Sequence, residues 1–407
     1  MISTNVRGGE RDSLIDADLE AVWNEIPLTK DDVSLSYKYL YPVYACGYNW
    51  LDSNVESATR LAKRIKEIKN TYLAKGNKCE KVIIVTHSMG GLVARHYSEI
   101  LNGAENILGI VHGVMPSIGA AATYTRMKAG TEGNGLASHL ATTVIGQTGT
   151  DSIMEAVGAK ILGENAAEMT AVLSQSPGPL QLLPGKEYGM HWLKFQAGNQ
   201  LCSKPETDPF DDIYTVRGKW WSMCEDHLIN PNNVSNNKIQ MDKDWESYFL
   251  MLTEKVQPFI DELAGKFHKN SYAFYSRSDN YLSYGNVIWR AVSPMVEAKQ
   301  QMDSLLDARG VTQTDVSNTR DAVGVATYTS GSVNFLSTFK LSQPEEPGDG
   351  TVPVRSGNIP RNYLQSCLEV DVGHEPAYKD SDRARDFVLR AIVKITRAVN
   401  ETSLAYK

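Results

Sequence analysis

Ser88 lies where a predicted strand meets a predicted helix, so its hydroxyl group is placed to act as a nucleophile. The apolar run Val82–Val85 predicts a buried strand, and apolar residues at helical spacing follow Gly90. A sharp turn between such elements strains the serine backbone and lifts the hydroxyl clear of the sheet, as in the nucleophile elbow of serine esterases. The strand and the helix pass close to each other there, so Thr86 and Gly90 must be small, although the usual motif has glycine at both positions. The alternative is a serine that only caps the helix.

Asp349 and His374 supply the acid and the base that such a serine needs, in the chain order serine, acid, histidine. Asp349 stands between two glycines in the run Gly348–Pro353, where a tight turn can present its carboxylate. His374 follows a strand-like run, Cys367–Val372, and precedes an amphipathic helical pattern. We expect His374 to accept the Ser88 proton and Asp349 to fix the tautomer of the imidazole.

Each of these two partners also has a purely structural explanation. Asp349 could form only an Asp-Gly turn, and His374 could be an ordinary surface loop residue. A rival acid is Asp279, which follows a predicted strand but lacks the Gly-Asp-Gly turn. Asp371 lies too close to the histidine in the predicted strand to pair with it.

The elements around these residues alternate between strand and helix, which predicts a parallel sheet covered on both faces and one α/β domain over residues 1–407. A capping box of Ser53 and Glu56 begins the best-defined helix, and Gly76 ends it. The other predicted elements are a helix around Ser13–Ile26, strands at Leu40–Cys46, Ile107–Val111 and Tyr272–Tyr275, a helix at Met295–Leu306, a hairpin at Ala326–Leu341 and a last helix through Phe387–Ile395.

The alternation breaks between residues 114 and 270, which we interpret as an insertion. Residues 117–175 are rich in Ala, Gly, Met and Thr, and residues 200–240 are polar and loop-like. Long insertions without a strong core are often covers over a site, so we expect a lid or cap with an apolar inner face. The alternative is an extra helical layer with a small core of its own.

Several motifs together resemble one branch of the α/β-hydrolases, the lecithin–cholesterol acyltransferase and GPI-inositol-deacylase-like branch. They are the Ser-Met-Gly-Gly elbow at 88–91, the Gly-Asp-Gly-Thr-Val-Pro loop at 348–353, the Gly-His pair at 373–374, the Leu-Leu-Pro segment at 182–184 and the Tyr-Asn-Trp run at 48–50. Within the branch, residues 47–54 and 112–119 look most like bacterial lipase-like proteins, some of them antibacterial effectors of type VI secretion. The resemblance implies an α/β-hydrolase fold, with a mostly parallel sheet, helices on both faces and a long lid insertion, and a lipid ester as substrate.

The backbone N–H of Met89, directly after the nucleophile, is the one oxyanion-hole donor that the elbow motif provides. The branch that the chain resembles takes a second donor from a Pro-Gly-X-Met-Gly-like loop after an earlier strand, and we find no such loop in this sequence. The loss of one donor costs about 100- to 1,000-fold in rate. His112 and Gly113 are an alternative source, but they follow the strand after the elbow, so we interpret them as pocket wall.

The composition is that of an ordinary globular enzyme. A formal net charge of −7 argues against a nucleic-acid partner, and no basic cluster in the sequence suggests docking to anionic lipid. The N-terminus lacks the apolar region of a signal peptide, and no apolar run approaches about 18 residues. We therefore expect no secretory signal, no transmembrane segment and a protein that is cytoplasmic as made.

We expect no cofactor and no metal site, since no Cys-x-x-Cys or suitably spaced histidine pair occurs and spacing assembles no ligand set for Ca²⁺. Three of the five cysteines, Cys46, Cys79 and Cys367, are predicted to be buried core thiols. Cys202 and Cys224 flank a polar loop and either remain free or form a disulfide bond, which would contribute about 3 kcal/mol.

Two classes of function remain open at this point. The first is a lipase or phospholipase that works through an acyl-enzyme, and acyl transfer to an alcohol would use the same residues. The second is a non-catalytic, hydrolase-like scaffold that binds lipid or a partner protein, for which the absent oxyanion loop argues. The resemblance to effectors further implies an immunity protein as partner and delivery by a signal-independent secretion system to a target periplasm.

Overall fold

The computed structural model describes residues 22–130, 166–292, 299–315, 318–330 and 333–405. The chain divides into two compact units and passes from one to the other several times. The first unit comprises Met1–Ile118, Glu262–Ser283 and Glu346–Lys407, and the second comprises Gly119–Asp261 and Tyr284–Glu345.

The α-helices in the described residues are α1 (Lys30–Tyr37), α2 (Asn54–Leu73), α3 (Gly90–Arg95), α4 (Ala122–Ala129), α5 (Ala166–Leu173), α6 (Pro177–Leu180), α7 (Lys238–Met251), α8 (Gln257–Leu263), α9 (Lys299–Asp307), α10 (Val354–Gly357) and α11 (Asp382–Thr396). π-Helical turns follow α3 and α7 and also occur alone, at His96–Ile100, Leu252–Val256 and Phe210–Tyr214. Short 3₁₀ turns lie at Ala104–Asn106, Lys186–Tyr188, Asp226–Leu228, Arg361–Tyr363 and Arg397–Glu401.

The strands are β1 (Val82–His87), β2 (Ile107–Gly113), β3 (Leu193–Ala197), β4 (Gln200–Lys204), β5 (Ser271–Ser276), β6 (Ser278–Ser283), β7 (Val287–Ala291), β8 (Arg309–Asp315), β9 (Asn318–Ser330), β10 (Val333–Leu341), β11 (Glu346–Gly348) and β12 (Ser366–Val370).

The first unit is built on a four-stranded sheet in the order β1-β2-β5-β12, in which every neighbouring pair is parallel. Neighbouring residues of β2 point to opposite faces of this sheet. Ile110 packs in a cluster with α2 and α3, whereas Val111 packs in a cluster with α11. The predicted parallel sheet with helices on both faces is therefore confirmed, and the apolar face of the last helix packs on it as expected.

The predicted strand at Leu40–Cys46 is wrong, because the described residues from 38 to 53 contain no strand. Leu40 is 94% exposed and Val43 is 85% exposed, so this apolar run is not part of the core. In the described residues, no strand pairs with β1 on that side, and Val85 is 46% exposed rather than buried as predicted.

The predicted helix α2 is confirmed, but its N-terminal cap differs in detail. The Ser53 hydroxyl accepts a hydrogen bond from the N–H of Val55, not from that of Glu56, so the predicted capping box does not close. A complete capping box occurs instead at α1, between Thr29 and Asp32. Of the predicted N-terminal helix, residues 13–21 lie outside the described residues, and Trp23 forms an antiparallel bridge with Cys367 rather than a helical turn.

The second unit has a six-stranded sheet in the order β4-β3-β7-β10-β9-β8. β9 and β10 form the predicted hairpin, but in this sheet rather than beside the parallel one. Three buried aromatic rings mark its core, since Trp220 stacks on Phe339 at 4.5 Å and contacts Trp289 edge-on at 5.4 Å. The insertion thus has a sizeable core built on a mixed sheet, whereas the sequence predicts a lid or a small helical layer.

The boundaries of the second unit also differ from those of the predicted insertion at 114–270. The unit ends its first segment at Asp261 and takes up the chain again for Tyr284–Glu345, a stretch that the sequence placed in the main domain. This difference arises because β3 pairs with β7 far along the chain, with Leu193 opposite Val287, which no local pattern reveals.

All five cysteines are free thiols. Cys202 and Cys224 therefore do not form the disulfide bond that the sequence left open. Cys367 is buried as predicted, and burial raises the pKa of its thiol to about 12. Cys46 and Cys79 are only partly buried. The segment that carries Cys46 is not a core strand.

Candidate active site

Ser88 occupies a sharp turn between β1 and α3, as the sequence predicts. Its φ is 51°, a left-handed conformation that a non-glycine residue rarely adopts. Its N–H donates to the carbonyl of Gly113 at 3.0 Å, and its own carbonyl accepts from the N–H of Gly91 at 2.9 Å. These main-chain bonds hold the strained residue in place, and the role of a simple helix cap does not account for that strain.

The steric constraint at the elbow lies one residue later than the motif suggests. A Cβ atom added at Gly90 would meet nothing closer than 3.7 Å, and Thr86 is accommodated with its hydroxyl 3.1 Å from Nδ1 of His112. A Cβ atom at Gly91 would overlap the sulfur of Met115 and lie 2.6 Å from its Cγ. The second glycine of the Gly-Gly pair is therefore the one that lets helix α3 approach the sheet.

Asp349 uses its two carboxylate oxygens for two different tasks. Oδ1 accepts hydrogen bonds from the N–H groups of Thr351 and Val352, at 2.8 and 2.6 Å. Oδ2 lies 2.6 Å from Nδ1 of His374. One oxygen thus closes the turn, and the other faces the imidazole.

The glycines on either side of Asp349 are required by this turn. Gly350 has a φ of 93°, which favours glycine. A Cβ atom at Gly348 would overlap the hydroxyl of Ser283 and lie 2.5 Å from the carbonyl oxygen of Val352. The turn orients the carboxylate of Asp349, a residue that is only 3% exposed.

His374 completes a continuous chain of hydrogen-bonding groups. Its Nε2 lies 2.8 Å from Oγ of Ser88, and the whole residue is 8% exposed. With Nδ1–H donating to Asp349, Nε2 is free to accept the hydroxyl proton of the serine. The structure thus brings together all three residues proposed from the sequence, in hydrogen-bonding order.

The rival acid Asp279 does not take part in this chain. It lies on β6 with its side chain exposed, and Asp371 is exposed as well. The carboxylate beside the imidazole is that of Asp349.

His87 and Tyr378 support the site, and the sequence analysis did not assign either of them. The His87 side chain hydrogen-bonds through Nε2 to the carbonyl oxygen of His374 at 2.9 Å, and the two rings are 5.2 Å apart. Burial, followed by the proximity of His374, lowers the pKa of His87, which favours the neutral ring as the donor. Tyr378 donates its hydroxyl to the carbonyl of Thr86 at 2.6 Å. The only sequence signal for these residues was their closeness to Ser88 and His374 in the chain.

Met89 lies at the N-cap of α3 with φ −53° and ψ −26°, and its side chain is buried. Among the described residues, none of the main-chain hydrogen bonds that flank the elbow uses its N–H, which stays available to a ligand.

The proposed pocket-wall role of His112 is wrong, because this side chain is fully buried and contacts Thr86. Gly113 contributes its carbonyl to Ser88. A second oxyanion donor is therefore not assigned.

No group of three or more His, Cys, Asp or Glu side chains within the described ranges is arranged to hold a metal ion. In the same part of the chain, none of the helices combines the length and the apolar character needed to cross a bilayer.

Comparisons with known proteins find a family model and a solved structure that resemble this chain. A family model described as the PGAP1-like alpha/beta domain matches residues 53–125, which include α2, β1, Ser88 and β2. The protein has an α/β-hydrolase fold. This match agrees with the branch that the motifs predicted.

A solved structure, described as "The crystal structure of Tle4-Tli4 complex", contains a chain that is similar over most of the length. The two chains are 25% identical, with a TM-score of 0.66, and the match covers 92% of this chain and 72% of that one. No curated protein is a significant match. The predicted resemblance to lipase-like α/β-hydrolases is confirmed by these findings.

Proposed function

We propose that the protein is a serine ester hydrolase that acts on lipids, a lipase or phospholipase, with Ser88 as nucleophile, His374 as base and Asp349 as acid. The single observation that carries this proposal is the chain Ser88–His374–Asp349, with 2.8 Å and 2.6 Å between successive polar atoms. The left-handed backbone of Ser88 supports it further, because strain of this kind clusters at functional sites.

In the first half of the reaction, Ser88 Oγ attacks the ester carbonyl carbon while its proton passes to Nε2 of His374. Asp349 stabilises the imidazolium through Nδ1–H. The carbonyl oxygen becomes an oxyanion, to which the N–H of Met89 donates. The tetrahedral intermediate then expels the alcohol, which takes the proton from His374, and the acyl group remains on Ser88.

In the second half, a water molecule repeats the sequence. His374 removes one proton from the water as its oxygen attacks the acyl carbon, and then returns that proton to Ser88 as the fatty acid leaves. An alcohol in place of water would give a new ester by the same steps, so an acyltransferase is the nearest alternative.

The lipid part of the proposal rests on the resemblance of the motifs to lipase-like proteins and on the similarity to the chain of the Tle4-Tli4 complex. The alternative of a non-catalytic scaffold rests on the missing second oxyanion donor. We favour catalysis because a scaffold needs neither a strained serine nor an imidazole held between the serine and a carboxylate.

The test is labelling with a fluorophosphonate, which phosphonylates an activated serine. We expect the wild-type protein to be labelled at Ser88, as located by peptide mass spectrometry, and Ser88→Ala to remain unlabelled. Ser203 offers a matched control, because its Oγ also lies 3.1 Å from a histidine nitrogen, Nδ1 of His191, without the flanking turn of an elbow. Ser203→Ala should label like the wild type. A folded wild-type protein that stays unlabelled would contradict the enzyme proposal.

Hydrolysis and acyl transfer are separated by product analysis. A phospholipid or triacylglycerol substrate is incubated with and without an added alcohol such as glycerol. We expect free fatty acid in both cases, whereas a dominant new ester in the presence of the alcohol would identify a transferase.

We further propose that the protein serves as an antibacterial effector with an immunity protein as partner, delivered by a dedicated secretion system to the periplasm of a target cell. The support is the effector-like motifs at 47–54 and 112–119 and the similarity to a chain solved in the Tle4-Tli4 complex. Expression directed to the periplasm of a host should then inhibit growth, and cytoplasmic expression or periplasmic Ser88→Ala should not. Equal growth in all three cases would refute this role.

A further inference from the structure

One part of this acidic protein is strongly basic. Residues 60–81 contain eight Lys and Arg residues and two Glu residues, whereas the whole chain has a formal net charge of −7. The linear sequence conceals the cluster, because apolar residues such as Leu61, Ile65 and Ile68 separate the charges. Helix α2 turns those apolar residues toward the core, where Ile65 is buried, and leaves the basic ones outside.

Most of these charges have no ion-pair partner within the described part of the chain. Arg64 forms one ion pair, with Glu67 at 3.6 Å, and both side chains are about half exposed. No ion pair of the described residues involves the exposed Lys63, Lys66 or Lys75. We define the basic surface by the residues Arg60, Lys63, Arg64, Lys66, Lys75 and Lys78.

A cavity of about 350 Å³ opens within the basic surface. It is lined by Arg60, Lys63, Arg64 and Glu67 from α2 and by the residues Ala45, Cys46 and Gly47, so three cationic side chains outnumber one carboxylate. One guanidinium donor of Arg60 binds the carbonyl oxygen of Gly47 at 2.6 Å. Guanidinium and ammonium groups that share one cavity suit the oxygens of a phosphate group.

Exposed apolar side chains adjoin these charges. The segment 40–50 runs beside α2, since the hydroxyls of Tyr44 and Tyr72 are hydrogen-bonded at 2.9 Å and the Arg64 guanidinium lies 5.6 Å from the Tyr44 ring. This segment carries Leu40 and Val43, which are 94% and 85% exposed. Basic residues next to exposed apolar and aromatic ones form the composition that binds the interface of an anionic bilayer.

We propose that the basic surface and segment 40–50 dock the protein on an anionic phospholipid bilayer, with a lipid phosphate in the cavity. The inference rests on the proposed function and deepens it, because an enzyme that acts on bilayer lipids must be held at their surface. We favour a bilayer over an acidic protein because lysine dominates the surface. Lysine is depleted in the cores of protein interfaces, whereas a diffuse negative surface attracts it without a defined geometry.

The test uses Ser88→Ala, so that the vesicles are not degraded, and measures co-sedimentation with two kinds of vesicle. One contains phosphatidylglycerol mixed with phosphatidylcholine, and the other contains phosphatidylcholine alone. We expect binding to the anionic vesicles that weakens as the salt concentration rises, and little binding to the neutral ones.

Matched charge reversals locate the surface. In the Ser88→Ala background, Lys63→Glu with Lys66→Glu should weaken partitioning by at least about 30-fold, since the loss of the two basic charges alone removes roughly 1 kcal/mol each and the new carboxylates repel the bilayer. The control, Lys238→Glu with Lys243→Glu on α7, alters the net charge equally at two other exposed lysines and should bind like its parent. Val43→Ser should weaken binding without altering its salt dependence. Circular dichroism verifies that each variant is folded.

Equal binding to both vesicles, or an equal effect of the two charge reversals, would overturn the inference. The absence of binding to anionic vesicles would also overturn the inference. If the basic surface then selectively captured an acidic protein, that surface would be identified as a protein interface. Failure of the proposed function gives a different result, namely a wild-type protein that fluorophosphonate does not label.

Discussion

The main-chain N–H of His374 donates a 2.8 Å hydrogen bond to the carbonyl oxygen of Asp349. The loops that carry the acid and the base are thus joined twice, once through their side chains and once through their backbones. The backbone link does not depend on the carboxylate. A change in the acid can therefore remove its electrostatic role while the two loops stay together.

Replacement of the acid tests this separation. Asp349→Asn should lower the turnover of a p-nitrophenyl ester by about 10,000-fold, because the amide no longer stabilises the correct tautomer or the imidazolium. The melting temperature should change little. The control is Asp279→Asn, at the exposed rival acid, which should keep wild-type turnover. The reverse ranking of these two variants would assign the acid to Asp279.

The oxyanion role of Met89 depends on its backbone and not on its side chain. An amide-to-ester replacement at the Ser88–Met89 bond removes that N–H and should lower kcat by about 100- to 1,000-fold. Met89→Leu keeps the N–H and should retain most of the activity. Steady-state kinetics on the same soluble ester compares the two proteins, and equal kcat values would show that the donor lies elsewhere.

Gly348 is required because the acid turn has no room for a side chain. Gly348→Ala should lower the free energy of unfolding by about 1–3 kcal/mol, since its Cβ would lie 2.5 Å from the main-chain oxygen of Val352. Gly47→Ala is the matched control, with no atom within 4 Å of the added Cβ, and should shift stability by less than about 1 kcal/mol. Urea titrations measure both effects. A Gly348→Ala variant with the free energy of unfolding of the wild type would mean that the turn can relax.

Burial of His112 predicts a pH dependence of stability. Burial, followed by the charges of Arg95 and His268, lowers the pKa of His112 to about 3, and its Nε2 has no hydrogen-bond partner. The unfolded chain binds this proton below a pH of about 6.5 and the folded protein does not, so the free energy of unfolding should fall as the pH drops from about 6.5 toward 3. The loss is at most about 1.4 kcal/mol per pH unit. His112→Gln should reduce the slope of the free energy of unfolding against pH by the contribution of one bound proton. An unchanged slope would contradict the assignment of the low pKa to His112.

Local patterns predicted the elbow, the acid turn and the helices that flank them. The β-branched run before Ser88 and the two glycines around Asp349 restrict the backbone through their own chemistry, so their conformations follow from a few neighbouring residues. The same reasoning failed for Leu40–Cys46. An apolar run becomes a strand only if it pairs with a neighbouring strand, and residues 40–46 pair with none, although β1 has an unpaired edge in the described residues.

The second unit shows the same limit on a larger scale. Its sheet pairs β3 with β7 and β7 with β10, which are segments far apart in the chain. The sequence pattern predicts neither β3 nor β7 as a strand. The hairpin of β9 and β10 was predictable because its two strands adjoin in sequence.

The sequence by itself determined which groups are available for chemistry, their order along the chain and the tight turns that carry them. Tertiary structure alone decided that Ser88 and His374, 286 residues apart, lie 2.8 Å from each other. The physical reason is the range of the interactions. Turns and helices are set by sterics and hydrogen bonds over a few residues, whereas the site depends on how a parallel sheet aligns its strand ends.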